Sequence, residues 1–430
     1  MRQTLFYLPH QLGPLPLFGW MSWSMIALFV YVAILAISMR GREKLGTILQ
    51  ESWLNWVLGA VILGWVLPAI EYRIGRGTEN EWVVGLPVRG YGVFLMLGVV
   101  SAIAIGHRRT ARLGIPRESF MALALYTVVG GLLGARIFYV VQKWDELDGN
   151  TVVGKLWTAL QFTEGGLVVY GSILGGIVGI VGWTWRYRVK PLPLLDAIVP
   201  AFFIGLAFGR IGCLLNGCCY GGICDPGFPA LEFPRGAPAY MDQFHSGRLL
   251  GMQTRSSSTG VATIESIEPG SWASEQGIRV GQQLDAVDAS LLRETPESFV
   301  LASPELEGRL QIDRRGYRLH SSDFPPKSLP VHPAQIYASI SAFLLCLWTC
   351  SIPNWNRRPG LVFGTGWIAY GLLRIMEEII RVDEAGQFGT SLSIAQWISV
   401  LGIIAGSFFV VLGWRTIPSE ASVSATTESN

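Results

Sequence analysis

Charge is what this 430-residue sequence has least of: charged residues make up 15% of it, against about 25% in ordinary soluble proteins. A soluble chain of this length would hold two or three domains, and so few charges argue against a cytosolic enzyme. A formal net charge of +2 is too small to hold nucleic acid. Six cysteines in so long a chain exclude a secreted disulfide miniprotein. Histidine is scarce as well, at five, and none precedes a Glu, so the H-E-x-x-H signature of a zinc protease is absent. What is abundant is apolar: half the residues are hydrophobic, with 51 Gly and 16 Trp, and the mean hydropathy is +0.39. That is a membrane profile, with glycines for close helix packing and tryptophans as interfacial anchors.

Nine apolar stretches fall at about 20–39, 52–70, 91–106, 120–141, 166–185, 193–210, 335–352, 361–380 and 394–414, each near the length a bilayer requires. Only Arg2 precedes the first, while Arg40, Arg42 and Lys44 follow it, so it reads as a retained anchor rather than a cleaved signal. Placing the N-terminus outside puts thirteen Lys and Arg in the short inner loops and tail, including Arg108, Arg109, Arg186, Arg188 and Arg357, and seven outside. Cytoplasmic loops retain positive charge, so the expected orientation is N-out and C-in, with residues 211–334 outside.

So long a hydrophilic stretch normally carries a domain or a function. Within it, VATIESIEPGSWASEQGIRVGQQLDAVD at 261–288 alternates apolar residues, turns at Pro269-Gly270-Ser271, forms a short helix and turns again at Gly281. This resembles the core of a PDZ domain over roughly 257–318, with Trp272 and Gln282 departing from that pattern. The fold expected is an all-α polytopic membrane protein of about nine transmembrane helices, bearing a small extracytoplasmic mixed α/β PDZ-like insertion. Its divisions are a two-helix extension at 1–84, a membrane core at 85–256 and 321–416, the insertion at 257–320, and a disordered Ser/Thr/Glu-rich tail at 417–430.

Ionisable residues inside apolar spans are expensive, and each is a functional candidate. Here they are Arg136, Asp196, Arg210, Arg374, Glu377 and Glu378. In the orientation above, Arg136, Arg210 and Arg374 lie toward the outer ends of outward-running spans, Tyr91 and Tyr170 open inward-running ones, and His332 precedes another. Asp196 falls at the inner end and stands apart. Arg374, Glu378 and Arg381 at i, i+4 and i+7 share one helical face. Each arginine could serve in an ion-pair ladder, yet Arg136, Arg210, Arg374 and Arg381 together outnumber the nearby glutamates, which leaves positive charge for an anion. Arginine suits phosphate through bidentate hydrogen bonds, and a phosphate at the outer leaflet is most simply a phospholipid head group.

GRIGCLLNGCCYGG at 209–222 closely resembles the hallmark segment of prolipoprotein diacylglyceryl transferases, G-R-x-G-N-F-x-N-G-E-x-x-G. VRGYGVFLMLG at 88–98, VHPAQIYAS at 331–339 and YGLLRIMEEIIRVDEAGQ at 370–387 agree in order and spacing, so the likeness spans about 85–414 and seven of the nine stretches. The resemblance implies transfer of a diacylglyceryl group from phosphatidylglycerol to the lipobox cysteine thiol of an exported prolipoprotein, releasing glycerol phosphate, in the bacterial cytoplasmic (inner) membrane with the site facing outward. No cofactor and no bound metal are expected. By motif, Arg210 and Arg374 become phosphate and leaving-group residues, Tyr91 the head-group tyrosine, Asn216 and Gly221 the hallmark-loop residues, and Glu378 with Arg381 a supporting pair; Arg136 joins the lipid-binding group by depth. The substrates implied are phosphatidylglycerol and prolipoprotein signal peptides, with a peptide ligand for the insertion and no nucleic acid.

The chain departs from the family where a catalytic His commonly follows an EGGL-like segment; here Tyr170 stands, a weaker base at neutral pH. Tyr170 as a polarised phenol, an arginine field alone, or another group such as His332 or His245 all stay open as the proton acceptor, and His332 could instead cap the helix beginning at Pro333. Cys213 and Cys218 replace the hallmark Asn and acidic residue, and Ala338 an acidic one. The spacing C-x4-C-C-x4-C over Cys213, Cys218, Cys219 and Cys224 does not match the paired form of structural zinc sites well, so a disulfide or free packing thiols are favoured over a metal. A membrane protease lacks its motif, and no His falls within a span for a rhomboid-like mechanism. A transporter would show repeats or midplane polar groups; a lipid-binding scaffold without catalysis remains the alternative to the transferase.

Overall fold

Seven helices of 18 to 26 residues carry the later apolar stretches in the computed structural model, which describes residues 4–9, 11–12, 15–16, 72–74, 82–144, 155, 168–224, 229–256, 262–288, 308–313, 315–319, 323–352, 358–381, 390 and 392–415. They are α1 (Gly90–Ala111), α2 (Arg117–Gln142), α3 (Val169–Tyr187), α4 (Pro191–Asn216), α7 (Ala334–Ser351), α8 (Leu361–Ile380) and α9 (Ile394–Arg415), with the short helices α5 (Pro238–His245) and α6 (Trp272–Glu275) between α4 and α7. Five of the seven are long and apolar enough to cross a membrane. The other two, α3 and α8, have spanning length, but Gly and Trp dilute the first, and Arg374, Glu377 and Glu378 the second. The chain is thus a mostly helical polytopic membrane protein. The stretches expected at 20–39 and 52–70, and the tail, lie outside the described residues.

Small residues decide how the helices meet. Gly130 and Gly134 of α2 face Gly175 and Gly171 of α3 so closely that an added Cβ would collide with the opposite backbone, and Gly364 of α8 meets Gly406 of α9 in the same way. Without a hydrophobic force between helices in lipid, such backbone contact is the main source of association. The pairings run antiparallel: Gly130 with Gly175 and Gly134 with Gly171, Gly98 with Gly205 between α1 and α4, and Gly371 with Ser399 between α8 and α9. Alternation therefore collects the starts of α1, α3, α7 and α9 with the ends of α2, α4 and α8 at one end of the helices.

Asp196 belongs to the opposite end. Fully buried, its carboxylate accepts from the backbone N–H of Gly360 at 2.6 Å and of Phe363 at 2.7 Å, while Arg109 donates to its carbonyl at 3.3 Å. A side chain of α4 thus satisfies the orphan N–H groups that open α8. Asp196→Ala should cost about 2–4 kcal/mol through loss of two charge-assisted bonds and two stranded donors. A thermal melt of the detergent-solubilised protein checks this, and a melting temperature within a degree of the wild type would contradict it.

The described strands form three sheets. Ahead of the helices, β5 (Trp82–Arg89) pairs antiparallel with β1 (Thr4–Leu8) and β4 (Tyr72–Ile74) and leads directly into α1, while β2 (Gln11–Leu12) and β3 (Leu15–Pro16) form a small hairpin. Between α5 and α7, β6 (Met252–Ser256), β7 (Ala262–Ile267), β8 (Gln283–Asp288), β9 (Gly308–Ile312) and β10 (Arg315–Leu319) make an antiparallel sheet in the order β10-β9-β8-β7-β6. Met252, Ile264, Ala273, Ile312 and Leu319 are buried in one cluster with Tyr240 and Phe244 of α5 and with Phe324. The Tyr240 hydroxyl donates to Pro325 O at 3.0 Å, and burial pushes its phenol up to about 12, so it remains a donor at physiological pH. Ser271 caps α6 through Ser274 N–H.

Candidate active site

α4 runs six residues past Arg210, to Asn216, so the expected end of the span at Arg210 is extended by about 1.7 helical turns. The hallmark segment is helical up to Asn216, and Gly217 then reverses the chain in the left-handed conformation with φ 77°. The returning loop is pinned on both sides. Gly221 N–H donates to His332 O at 2.9 Å, Gly222 N–H to Ile380 O at 3.0 Å, and His332 N–H to Gly222 O at 3.0 Å. A Cβ at Gly221 would fall 2.7 Å from the His332 Cβ, which explains a glycine where three segments are pressed together. Gln335, 1% exposed, donates Nε2 to Cys218 O at 2.8 Å. The hallmark loop, the start of α7 and the end of α8 therefore meet at one place.

At that place α8 presents Arg374 and Glu378, joined Nη2 to Oε2 at 2.6 Å with side chains 11% and 3% exposed. The other carboxylate oxygen of Glu378 accepts from Ser393 Oγ at 3.1 Å. Ser393 also opens α9 as half of a capping box: Gln396 N–H donates to its hydroxyl at 3.2 Å, and its own N–H donates to Gln396 Oε1 at 3.0 Å. Sequence reasoning missed Ser393, although S-x-x-Q ahead of an apolar run signals such a cap. It missed Gln335 too, which stands inside a segment quoted above. Arg381 caps the C-terminus of α8.

Arg210 differs from Arg374. Among the described residues it has no ion-pair partner, while its charge acts on Tyr91, Cys219, Tyr370 and Glu377, and Arg381 acts on Cys219 as well. Tyr91, 40% exposed, packs across Gly212 of α4, two residues from Arg210. Asn216 closes the helix and bonds Cys218. Tyr91, Arg210, Asn216, Gly221, His332, Arg374, Glu378 and Arg381 are thus gathered by the packing of α1, α4, α7 and α8. Arg136 and Tyr170 sit on the separate α2–α3 pair. Arg136 is buried with its guanidinium 5.1 Å from the Tyr139 ring centroid, and Tyr170 lies in the first turn of α3, where Gly171 packs on Gly134 and Ala135.

The ring Nδ1 of His332 lies 3.6 Å from Cys224 Sγ, and its carbonyl accepts from Ala334 N–H at 2.8 Å in the first turn of α7. His245 ends α5, beside the core of the insertion. No disulfide joins any of the six cysteines.

Chemically, the arrangement sets a cation with no ion pair among the described residues, and with Glu377 within reach of its charge, beside a buried ion pair and a half-exposed tyrosine. Comparison with known proteins agrees with that chemistry. The family model described as prolipoprotein diacylglyceryl transferase matches residues 81–412. The phosphatidylglycerol–prolipoprotein diacylglyceryl transferase of Rhodopirellula baltica is 36% identical over an alignment covering 97% of this chain and 90% of that protein. Those of Clostridium tetani, 24% identical over 75% of this chain and 92% of that protein, and Burkholderia ambifaria, 26% identical over 78% and 94%, are similar across the core. On these matches, and on the hallmark loop locked against α7 and α8, the chain belongs to the prolipoprotein diacylglyceryl transferase family.

Proposed function

We propose that this protein transfers the diacylglyceryl group of phosphatidylglycerol to the lipobox cysteine thiol of exported prolipoproteins, at the extracytoplasmic face of the bacterial cytoplasmic (inner) membrane. The observation that carries the reading is Arg210, held in the same cluster as the paired Arg374 and Glu378 yet free of any ion pair among the described residues. A cation left so has room for the lipid phosphate. The thiol sulfur attacks the glyceryl carbon, the S–C bond forms as the C–O bond to phosphate breaks, and glycerol phosphate departs with the electron pair. Arg210 and Arg374 stabilise the growing charge on the departing phosphate without reorganising. The same positive field raises the thiolate fraction of an incoming thiol whose ordinary pKa is about 8.5.

Tyr91 serves the head group, Arg136 and Arg381 add field, and Asn216 and Gly221 shape the loop. Tyr170, on the same helix pair as Arg136, takes the thiol proton in its phenolate form, the S–H bond breaking as the phenol O–H forms, and His332 positions the loop through Gly221. We infer nine spans in this chain, the first two from the apolar stretches at 20–39 and 52–70. The test is transfer of labelled diacylglyceryl from phosphatidylglycerol vesicles to a lipobox peptide by the wild type and Tyr170→Phe. Label on the peptide with the wild type, and at least tenfold less with Tyr170→Phe, is expected; an inert wild type overturns the reading, and a fully active Tyr170→Phe overturns the role of the phenol.

For the insertion we propose a PDZ-like role, binding an extended peptide of the substrate or a partner by strand addition. The support is its antiparallel sheet with Ser271-capped α6. Deleting residues 257–318 is expected to lower transfer to several full-length prolipoproteins, measured in membranes; unchanged transfer contradicts recruitment.

A further inference from the structure

The reversal at Gly217 does something the hallmark segment does not require. It folds Cys218 and Cys219 back onto Cys213, one helical turn before it, so that the three Sγ atoms all lie within 4.8 Å of one another. Cys219 occupies the left-handed region at φ 59°, uncommon for a residue with a Cβ. Cys218 is tied to the helix end, its N–H donating to Cys213 O at 3.1 Å and its Sγ lying 3.7 Å from the same carbonyl. Gln335 holds the Cys218 carbonyl from α7. The backbone is thus fixed from two helices around a triangle of thiols.

We propose that Cys213, Cys218 and Cys219 form a three-thiolate site for a thiophilic d10 cation, with Zn2+ as the reference ion. Zinc–sulfur bonds of about 2.3 Å at the tetrahedral angle place thiolates about 3.8 Å apart, so the triangle closes onto the ion with a small adjustment of side chains. Three thiolates and Zn2+ leave one net negative charge, which Arg381, whose charge acts on Cys219, offsets. With three protein ligands the fourth position belongs to an external ligand. The ion would staple the end of α4 to the loop that follows it. Binding releases the thiol protons to solvent and involves no change of oxidation state.

The test uses the full-length protein, reduced in detergent micelles and loaded with Zn2+ alone. Elemental analysis after desalting against a weak chelator should find one zinc per chain. Cys213→Ser, Cys218→Ser and Cys219→Ser should each weaken retention by more than the roughly 10–100-fold that loss of a mere supporting group costs, while a Cys346→Ser/Cys350→Ser double variant retains the ion. Because a variant can misfold, the wild type supplies a second readout: zinc should slow maleimide alkylation of these three thiols and leave Cys350 unaffected. Equal retention by wild type and Cys219→Ser, or alkylation unchanged by zinc, overturns the site. So does a wild type whose cluster is locked as a disulfide that persists after reduction.

Discussion

Arg210→Ala should lower transfer by roughly 10²–10³-fold, the loss seen when a fixed donor to a developing oxyanion is removed. The reason is local. Arg374 is already engaged by Glu378, so no other cation in the cluster combines the same position with an unoccupied charge. Arg210 makes no ion pair among the described residues, but its charge acts on Glu377, so its removal should lower the melting temperature only modestly. Initial rates at saturating and limiting phosphatidylglycerol separate the outcomes. A fall in kcat shows that Arg210 acts on the departing phosphate, whereas a rise in KM alone reduces it to lipid binding. Arg210→Lys should recover only part of the loss, because a point charge cannot make the two-pronged contact of a guanidinium.

Glu378→Ala should be the more disruptive change for the fold. It takes away the carboxylate paired with Arg374, whose side chain is only 11% exposed, leaving that cation to the longer-range charge of Glu377, and removes the acceptor of Ser393 Oγ at the start of α9. Breaking a buried pair from one side costs about 3–5 kcal/mol, so the solubilised protein should melt several degrees lower and lose transfer together. The double variant Arg374→Met/Glu378→Leu distinguishes the two roles of the pair. Apolar replacement of both partners is often neutral for stability, so melting should return toward that of the wild type while transfer stays absent. Recovery of transfer in the double variant would show that the pair only braces α8 against α9.

The helices were legible because each apolar stretch near bilayer length has few ways to fold, and the cluster of Arg210, Arg374, Glu378 and Tyr91 because alternating spans return the same ends to one side. Contacts between distant segments were not. Nothing near Asp196 in the sequence marks it as the cap of α8, since its partners Gly360 and Phe363 come from another helix. Gly221 could be read as a motif residue, but the collision that forbids a side chain there arises from His332 and Ile380. The thiol triangle was hidden by spacing: C-x4-C-C lacks the paired form of metal sites, and only helix up to Asn216 followed by the turn at Gly217 brings the three sulfurs together. The strands β9 and β10 fall inside the insertion expected at 257–320, but the alternation at 261–288 ends before them and so did not place them individually.

The most direct measurement follows both products of one reaction. Purified protein is incubated with phosphatidylglycerol vesicles and a lipobox peptide, and mass spectrometry counts peptide carrying a thioether-linked diacylglyceryl group while glycerol phosphate is assayed in the same sample. Modified peptide and glycerol phosphate should appear in a one-to-one ratio with the wild type, and both should fall together with Arg210→Ala. Glycerol phosphate released without modified peptide, or a peptide whose mass does not change, would contradict the transfer chemistry assigned to this cluster.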